Sequence, residues 1–230
     1  MIITKKNYLR YYLDSLTMTN EDDSYPLNNC YNNILIEKTL YTATVNVVLT
    51  ENTPANLFVA INSNADTVTV DDFVTATESI TTSYNNWFWG YFSSLGGKSS
   101  LKISLSGDGA LYINYVYFGD RFKFNYIDPG SVANKTREDI INNTVSKQII
   151  KTAGISHRET NISISDYPQS DWDTWRDWQG EPEAADNQFF VLYEDEPTKY
   201  PPYYAAIEDY NTKNERQDLI DFDFIAREAK

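Results

Sequence analysis

"SSLKISLSGDGALYINYVYFG", residues 99–119, decides the fold class. Leu101, Ile103 and Leu105 alternate with polar residues, and Leu111, Ile113, Tyr115 and Tyr117 alternate again beyond "SGDG". A period of two puts successive side chains on opposite faces of a strand, and a Gly-Asp-Gly segment reverses the chain at little steric cost. The stretch therefore reads as a β-hairpin. Upstream, "TVNVVL" (44–49) and "NLFVAI" (56–61) are β-branched and apolar, and "TENTPA" with Pro54 turns the chain between them. They read as neighbouring strands. "YNNWFWGYF" (84–92) adds strand-favouring aromatics, and no long helix interrupts the pattern. Short strands with frequent turns predict a β-sandwich of the jelly-roll type for the first half.

After "GDRFKFNYIDPGS" the texture changes. Pro129 and Gly130 break the strand pattern, and "VANKTREDIINNT" is polar, with a short helical turn expected at Arg137–Ile141. A boundary near residue 128 follows, giving a jelly-roll domain over 1–127 and a smaller β domain over 128–230. The second half reads as strands "VSKQII" and "HRETNISIS", a helix, then strands "NQFFVLY", "PYYAAIE" and "RQDLIDFDFIARE". In the last of these Ile220, Phe222 and Phe224 point one way and Asp221 and Asp223 the other, as in a half-buried strand rather than an acid cluster. The expected fold is mainly β: an N-terminal β-sandwich, then a smaller β-sandwich domain with one α-helix.

That helix is "SDWDTWRDWQG" (170–180), expected over about 168–179. At 3.6 residues per turn Trp172, Trp175 and Trp178 fall within an arc of roughly 120°, with Asp173, Arg176 and Asp177 on the opposite side. Ser170 is placed to cap the first turn, Asp171 sits where the helix dipole favours an anion, and Gly180 stops the helix. A sugar-stacking platform would need the indoles exposed, whereas a helix covering a sheet buries them. Burial stabilises by about 1.5–3 kcal/mol per large apolar side chain, so the stripe reads as structural.

The chain of 230 residues carries 33 acidic and 19 basic residues, a formal net charge of −14. Such a field repels phosphates, so nucleic acid is not an expected partner. One Cys and one His preclude an intrachain disulfide and an ordinary Cys/His zinc site. No apolar run has the length of a signal peptide core or of a membrane span, so membrane insertion is not expected and synthesis in the cytoplasm is. The N-x-[ST] triplets at Asn134, Asn142 and Asn161 then carry no glycosylation meaning.

Catalytic constellations are not apparent. His157 follows Ser156 and precedes Glu159, but adjacent strand residues point to opposite faces and no G-x-S-x-G elbow is present. No spacing singles out a carboxylate pair for glycosidase chemistry. "LGG" (95–97) and "GDG" lack the helix of a phosphate loop, and "DGALYIN" does not continue as a calcium loop. The expectation is a protein that is not an enzyme, with no cofactor and no metal.

The order of segments resembles tail proteins of long-tailed bacteriophages. These open on a jelly-roll or galactose-binding-like module with a "YP-x-N" turn, here Tyr25, Pro26 and Asn28 in "SYPLNNCYNN". Paired strands like "TVNVVL…NLFVAINSN" follow, and an "LYI…V-x-FG" strand closes the module, here "ALYINYVYFGDRFKF". "ISISDYPQSDWDTWRDWQG", "NQFFVLYEDEP" and "DLIDFDFIAREA" resemble, in order, the second module of minor tail and distal-tail-like proteins. The resemblance covers nearly the whole chain. It implies a structural virion component at the tail tip or baseplate, connecting the tail tube to distal or receptor-binding components. Its partners would be tail tube, baseplate hub and tape measure proteins, and its copies would close into a ring, with a hexamer favoured. No active-site residue is implied. The alternative is a carbohydrate-binding module for host-surface glycans: Trp87, Trp89 and Tyr91 alternate on one strand face, where they could stack on sugar rings, line an interface or belong to the core.

Overall fold

A computed structural model of the chain describes residues 2–18, 23–31, 39–41, 45–53, 55–71, 77–80, 82–91, 98–124, 132–137, 140–143, 149–152, 156–179, 189–192, 202–216 and 218–228. The protein is mainly β, with antiparallel sheets and two short α-helices among the described residues. It divides into two compact units, Thr4–Phe122 and Met1–Ile3 together with Lys123–Lys230.

The strands met along the first part of the chain are β1 (Ile2–Asn7), β2 (Leu13–Met18), β3 (Thr39–Tyr41), β4 (Val45–Thr53), β5 (Leu57–Ile61) and β6 (Thr67–Asp71). They continue with β7 (Thr77–Ile80), β8 (Thr82–Tyr84), β9 (Trp87–Tyr91), β10 (Lys98–Ser106), β11 (Leu111–Ile113) and β12 (Tyr115–Lys123). A single helical turn, α1 (Tyr8–Tyr11), separates β1 from β2. One sheet has the order β2-β4-β10-β6-β7; another runs β1-β12-β5-β9-β8; β11 and β3 form a separate pair.

Alternation explains the first of these sheets. Val45, Val47 and Leu49 are buried while Asn46, Val48 and Thr50 between them are exposed. Across the ladder Leu101 lies opposite Val47, and Ile103 lies opposite both Val45 and Val70, so one face is continuously apolar. Phe58, Ala60, Phe88, Val116 and Phe118 of the other sheet join the same buried cluster. β5 is buried along its whole length, as a strand covered on both faces requires.

Two pairings differ from the sequence reading. The stretch 99–119 is not a hairpin: β10 pairs with β4 and β6, β11 with β3, and β12 with β5. Its "SGDG" segment is an arch that leads from β10 into β11, and the chain enters the other sheet with β12. Leu101 and Ile103 bury their faces toward the core that Val116 and Phe118 reach from the opposite sheet, so the two runs enclose that core instead of lying side by side. Gly109 has φ +77°, and a Cβ on Gly107 would come within 3.1 Å of the Asp66 amide nitrogen and a Leu111 methyl. "TVNVVL" and "NLFVAI" likewise lie in different sheets and are not neighbours, as β4 and β5 each show.

Asn7, 4% exposed, ties β1 to β12. Its Nδ2 donates to the Tyr115 hydroxyl (2.9 Å) and the Val116 carbonyl (3.0 Å), while its Oδ1 accepts from the amides of Leu9 (3.1 Å) and Phe118 (3.2 Å). The side chain thus caps α1 and satisfies a buried strand end at once.

The second unit contains β13 (Val132–Arg137), β14 (Ile140–Asn143), β15 (Ile149–Thr152), β16 (Ser156–Pro168), α2 (Gln169–Gln179), β17 (Phe189–Leu192), β18 (Tyr203–Arg216) and β19 (Leu219–Glu228). The sheet order is β13-β16-β19-β18-β17, with Ile2 and Ile3 pairing to Leu192 and Val191. The helical turn expected at Arg137–Ile141 is not formed: Arg137 ends β13 and Ile140 begins β14, both in antiparallel ladders, and Glu138 and Asp139 lie outside the described residues. A ladder satisfies the backbone of this polar stretch without needing apolar periodicity.

On β16 and β19, Ile162 lies opposite Phe224 and Ile164 opposite Phe222, and all four are buried. The expected alternation of β19 holds for Ile220, Phe222 and Phe224, but Asp221 is also only 8% exposed. The reason is a bulge between Ile164 and Tyr167, where Asp166 takes φ +54° and its amide donates to Asp221 Oδ1 at 2.9 Å. The strand then runs directly into α2, whose first amide, on Gln169, donates to the Asp218 carbonyl (3.0 Å). Ser170 lies inside the first turn, and its carbonyl accepts from the Thr174 hydroxyl (3.0 Å). None of the helices among the described residues is long and apolar enough to cross a membrane.

Candidate functional site

β8 and β9 are joined by a two-residue turn, with Tyr84 directly opposite Trp87. Asn85 (φ +47°) and Asn86 (φ +68°) both occupy the left-handed region, the signature of a type I′ hairpin turn. Residues opposite each other in an antiparallel pair share a face. Trp89 faces with Val59 and Tyr91 with Leu57, and through β5 the same face carries Tyr115 and Tyr117. Phe88, between them, points into the core cluster on the other side.

Along the stripe Trp87 and Tyr91 are half-buried, whereas Trp89 is 2% exposed. The Arg121 guanidinium carbon stands 4.0 Å from the centre of the Tyr91 ring, a cation–π contact. Of the three aromatics, then, the middle one offers no ring face to a ligand.

The 62–66 loop bonds to the Asn85–Asn86 turn on one side and to the 106–112 segment on the other. The Ser63 amide donates to the Asn86 carbonyl (3.0 Å), and buried Ser63 accepts from the Ala65 amide (3.2 Å). Asn64 Nδ2 donates to the Ala110 carbonyl and its Oδ1 accepts from the Tyr112 amide, both at 2.8 Å. The Asp66 amide closes the arch on the Ser106 carbonyl (2.8 Å). Asn62, Asn64, Asn85 and Asn86 are exposed, and Asn62 is also left-handed, with φ +53°. The sequence reading named the aromatics but not Tyr84, Arg121 or this asparagine-rich end. "NN" ahead of an aromatic run was the available signal, since Asn tolerates the left-handed conformation better than most residues.

The second stripe is reached in part. Trp172 is 1% exposed, its ring centre 4.4 Å from that of Phe222. Asp173 and Arg176 pair at 3.2 Å on the wetter side of the helix. The side chains of Trp175 and Trp178 lie outside the described residues.

Ser156 and His157 are consecutive on β16, opposite Arg137 and Thr136. Cys30 is buried. No group of three or more His, Cys, Asp or Glu among the described residues could hold a metal ion. The groups with displaced titration are tyrosines in packing roles. Burial, then the hydrogen bond to Asp120 Oδ2 (2.5 Å), raises the Tyr8 hydroxyl well above its ordinary value. Burial also raises Tyr115, against the opposing pull of the Asn7 amide. Burial, then the nearby charge of Asp171, pushes Tyr167 up to about 12.

No family model matches the chain, and no curated protein or solved structure matches it.

Proposed function

We propose that this protein is a structural subunit of a long-tailed bacteriophage, placed in the virion at the tail tip or baseplate. Its first part would be a jelly-roll β-sandwich and its second a smaller β-sandwich carrying one helix. The observation that carries the reading is the order of elements. The "YP-x-N" segment runs into a 3-10 turn at Leu27–Tyr31, "TVNVVL" and "NLFVAI" supply β4 and β5, and "ALYINYVYFGDRFKF" supplies β11 and β12. "ISISDYPQSDWDTWRDWQG" follows as the end of β16 and α2, "NQFFVLYEDEP" supplies β17, and "DLIDFDFIAREA" supplies β19. The sandwich reading is supported by two sheets that feed one core cluster.

Assembly follows from the sheets. Among the described residues β2 and β7 end one sheet, and an edge strand presents backbone donors and acceptors to a neighbour. Head-to-tail contacts between identical subunits close into a ring when the rotation divides the circle, and sixfold closure fits a tail axis of that symmetry. At −14 per copy, tail tube, hub and tape measure proteins would supply the opposing charge.

Deletion of the gene from the phage, followed by electron microscopy of the particles, tests the role. Missing or malformed tail ends are expected. Intact, infectious particles without the protein overturn the proposal.

A further inference from the structure

We infer that the end of the first unit formed by the Asn85–Asn86 turn and the 62–66 loop is a binding site for a neutral saccharide. This goes beyond a tail role, which needs no sugar site on the subunit itself.

A saccharide offers an apolar face of C–H groups and a rim of hydroxyls that donate and accept. Recognition calls for aromatic rings with some surface in water and for amides, which do both. Tyr84 and Trp87 meet the first need: they lie directly opposite each other on one face, with Cβ atoms about 5 Å apart at such a pair, and both are only half-buried. Exposed Asn62, Asn85 and Asn86 meet the second. Asn64 is spent on the loop itself, through Ala110 and Tyr112.

The placement is preorganised. Ser63 bonds to Asn86, Asn64 to the 110–112 segment and Asp66 to Ser106, so the amides stand on loops already fixed to one another. Affinity then loses little to loop ordering. The second position of a type I′ turn is where glycine relieves strain best. Asn86 stands there at φ +68° and keeps an exposed amide where glycine would serve the turn equally well. The charge selects the ligand class: −14 overall, with exposed Asp66 and Asp108 in the neighbouring loops, disfavours uronic or sialic acids.

The full chain is applied to an array of neutral hexose and N-acetylhexosamine oligosaccharides beside sialylated and uronic ones. Retention on neutral spots is expected. Asn86→Gly suits the turn, so its melting temperature should hold or rise while affinity for the retained sugar falls roughly fivefold to tenfold. Trp87→Ala should abolish retention. A silent array, retention confined to anionic spots, or neutral binding unchanged in both variants would overturn the site. The state of the tail ends in the deletion particles bears on the structural role alone, so the two readings fail separately.

Discussion

In the first unit the aliphatic side chains Val45, Val47, Val68, Val70, Leu101 and Ile103 meet Phe58, Ala60, Val116 and Phe118, so burial is spread over many side chains, most of them aliphatic. In the second, Trp172 sits 4.4 Å from Phe222, and Phe124 adds ring contacts at 5.3 Å to Tyr167, 6.0 Å to Phe222 and 6.2 Å to Phe224. Interlocked aliphatic layers can relax around a lost methyl group. An aromatic cluster under one short helix concentrates burial in a few large side chains, and each of them becomes harder to replace. The polar solutions differ as well. Asn7 satisfies its buried surroundings with a side-chain amide, whereas Asp221 receives the backbone of a bulge.

Trp172→Ala is the strongest way to break this contrast. It empties a large aromatic site and undocks α2, so a loss of about 3–5 kcal/mol is expected in urea unfolding, with hydrogen exchange rising in β16, α2 and β19. Leu101→Ala in the aliphatic layers is expected to cost less, about 2–3 kcal/mol, with exchange rising in β4, β6 and β10. Equal losses, or exchange that rises everywhere alike, would mean that the two cores do not differ in kind.

The smallest effect sharpens the aromatic side. Burial and Asp171 hold the Tyr167 hydroxyl neutral up to about 12, above its unfolded value near 10. A raised folded pKa contributes stability that is complete below about 10 and is lost as pH rises through about 12. Tyr167→Phe should therefore lose less stability than the parent between these limits, measured as urea midpoints at each pH. Parallel losses would remove Tyr167 from the account.

Much of the fold was legible from local pattern. The alternation of Ile220, Phe222 and Phe224 located β19, and the tryptophan spacing located α2 to within a residue at its start. What pattern could not convey was partnership. "SGDG" carries turn chemistry whether the chain returns beside itself or crosses to a facing sheet, because both need glycine and both flanking runs alternate. The same ambiguity hid the separation of β4 from β5. β13 and β14 were missed because a ladder asks little of side chains in a polar stretch. At the candidate site Trp87, Trp89 and Tyr91 were visible as a stripe, but Trp89 is buried in a sheet where its cross-strand partner is Val59, near only in three dimensions. The asparagine turn needed a conformational reading of "NN" rather than a hydropathic one.

The Asn7 amide also sets an order of events in time. It binds the Tyr115 hydroxyl 108 positions along the chain and the Phe118 amide 111 positions along. At about 5–20 residues per second the ribosome delivers those partners roughly 5–20 s after Asn7 itself. Until then β1 has no buried partner for its end, and an unpaired strand is open to any passing edge. The β8–β9 hairpin, closed by two residues, can form at once, while the first unit as a whole becomes a finished object only when β12 emerges. Its synthesis is therefore marked by a long interval of vulnerability, ended by a single strand.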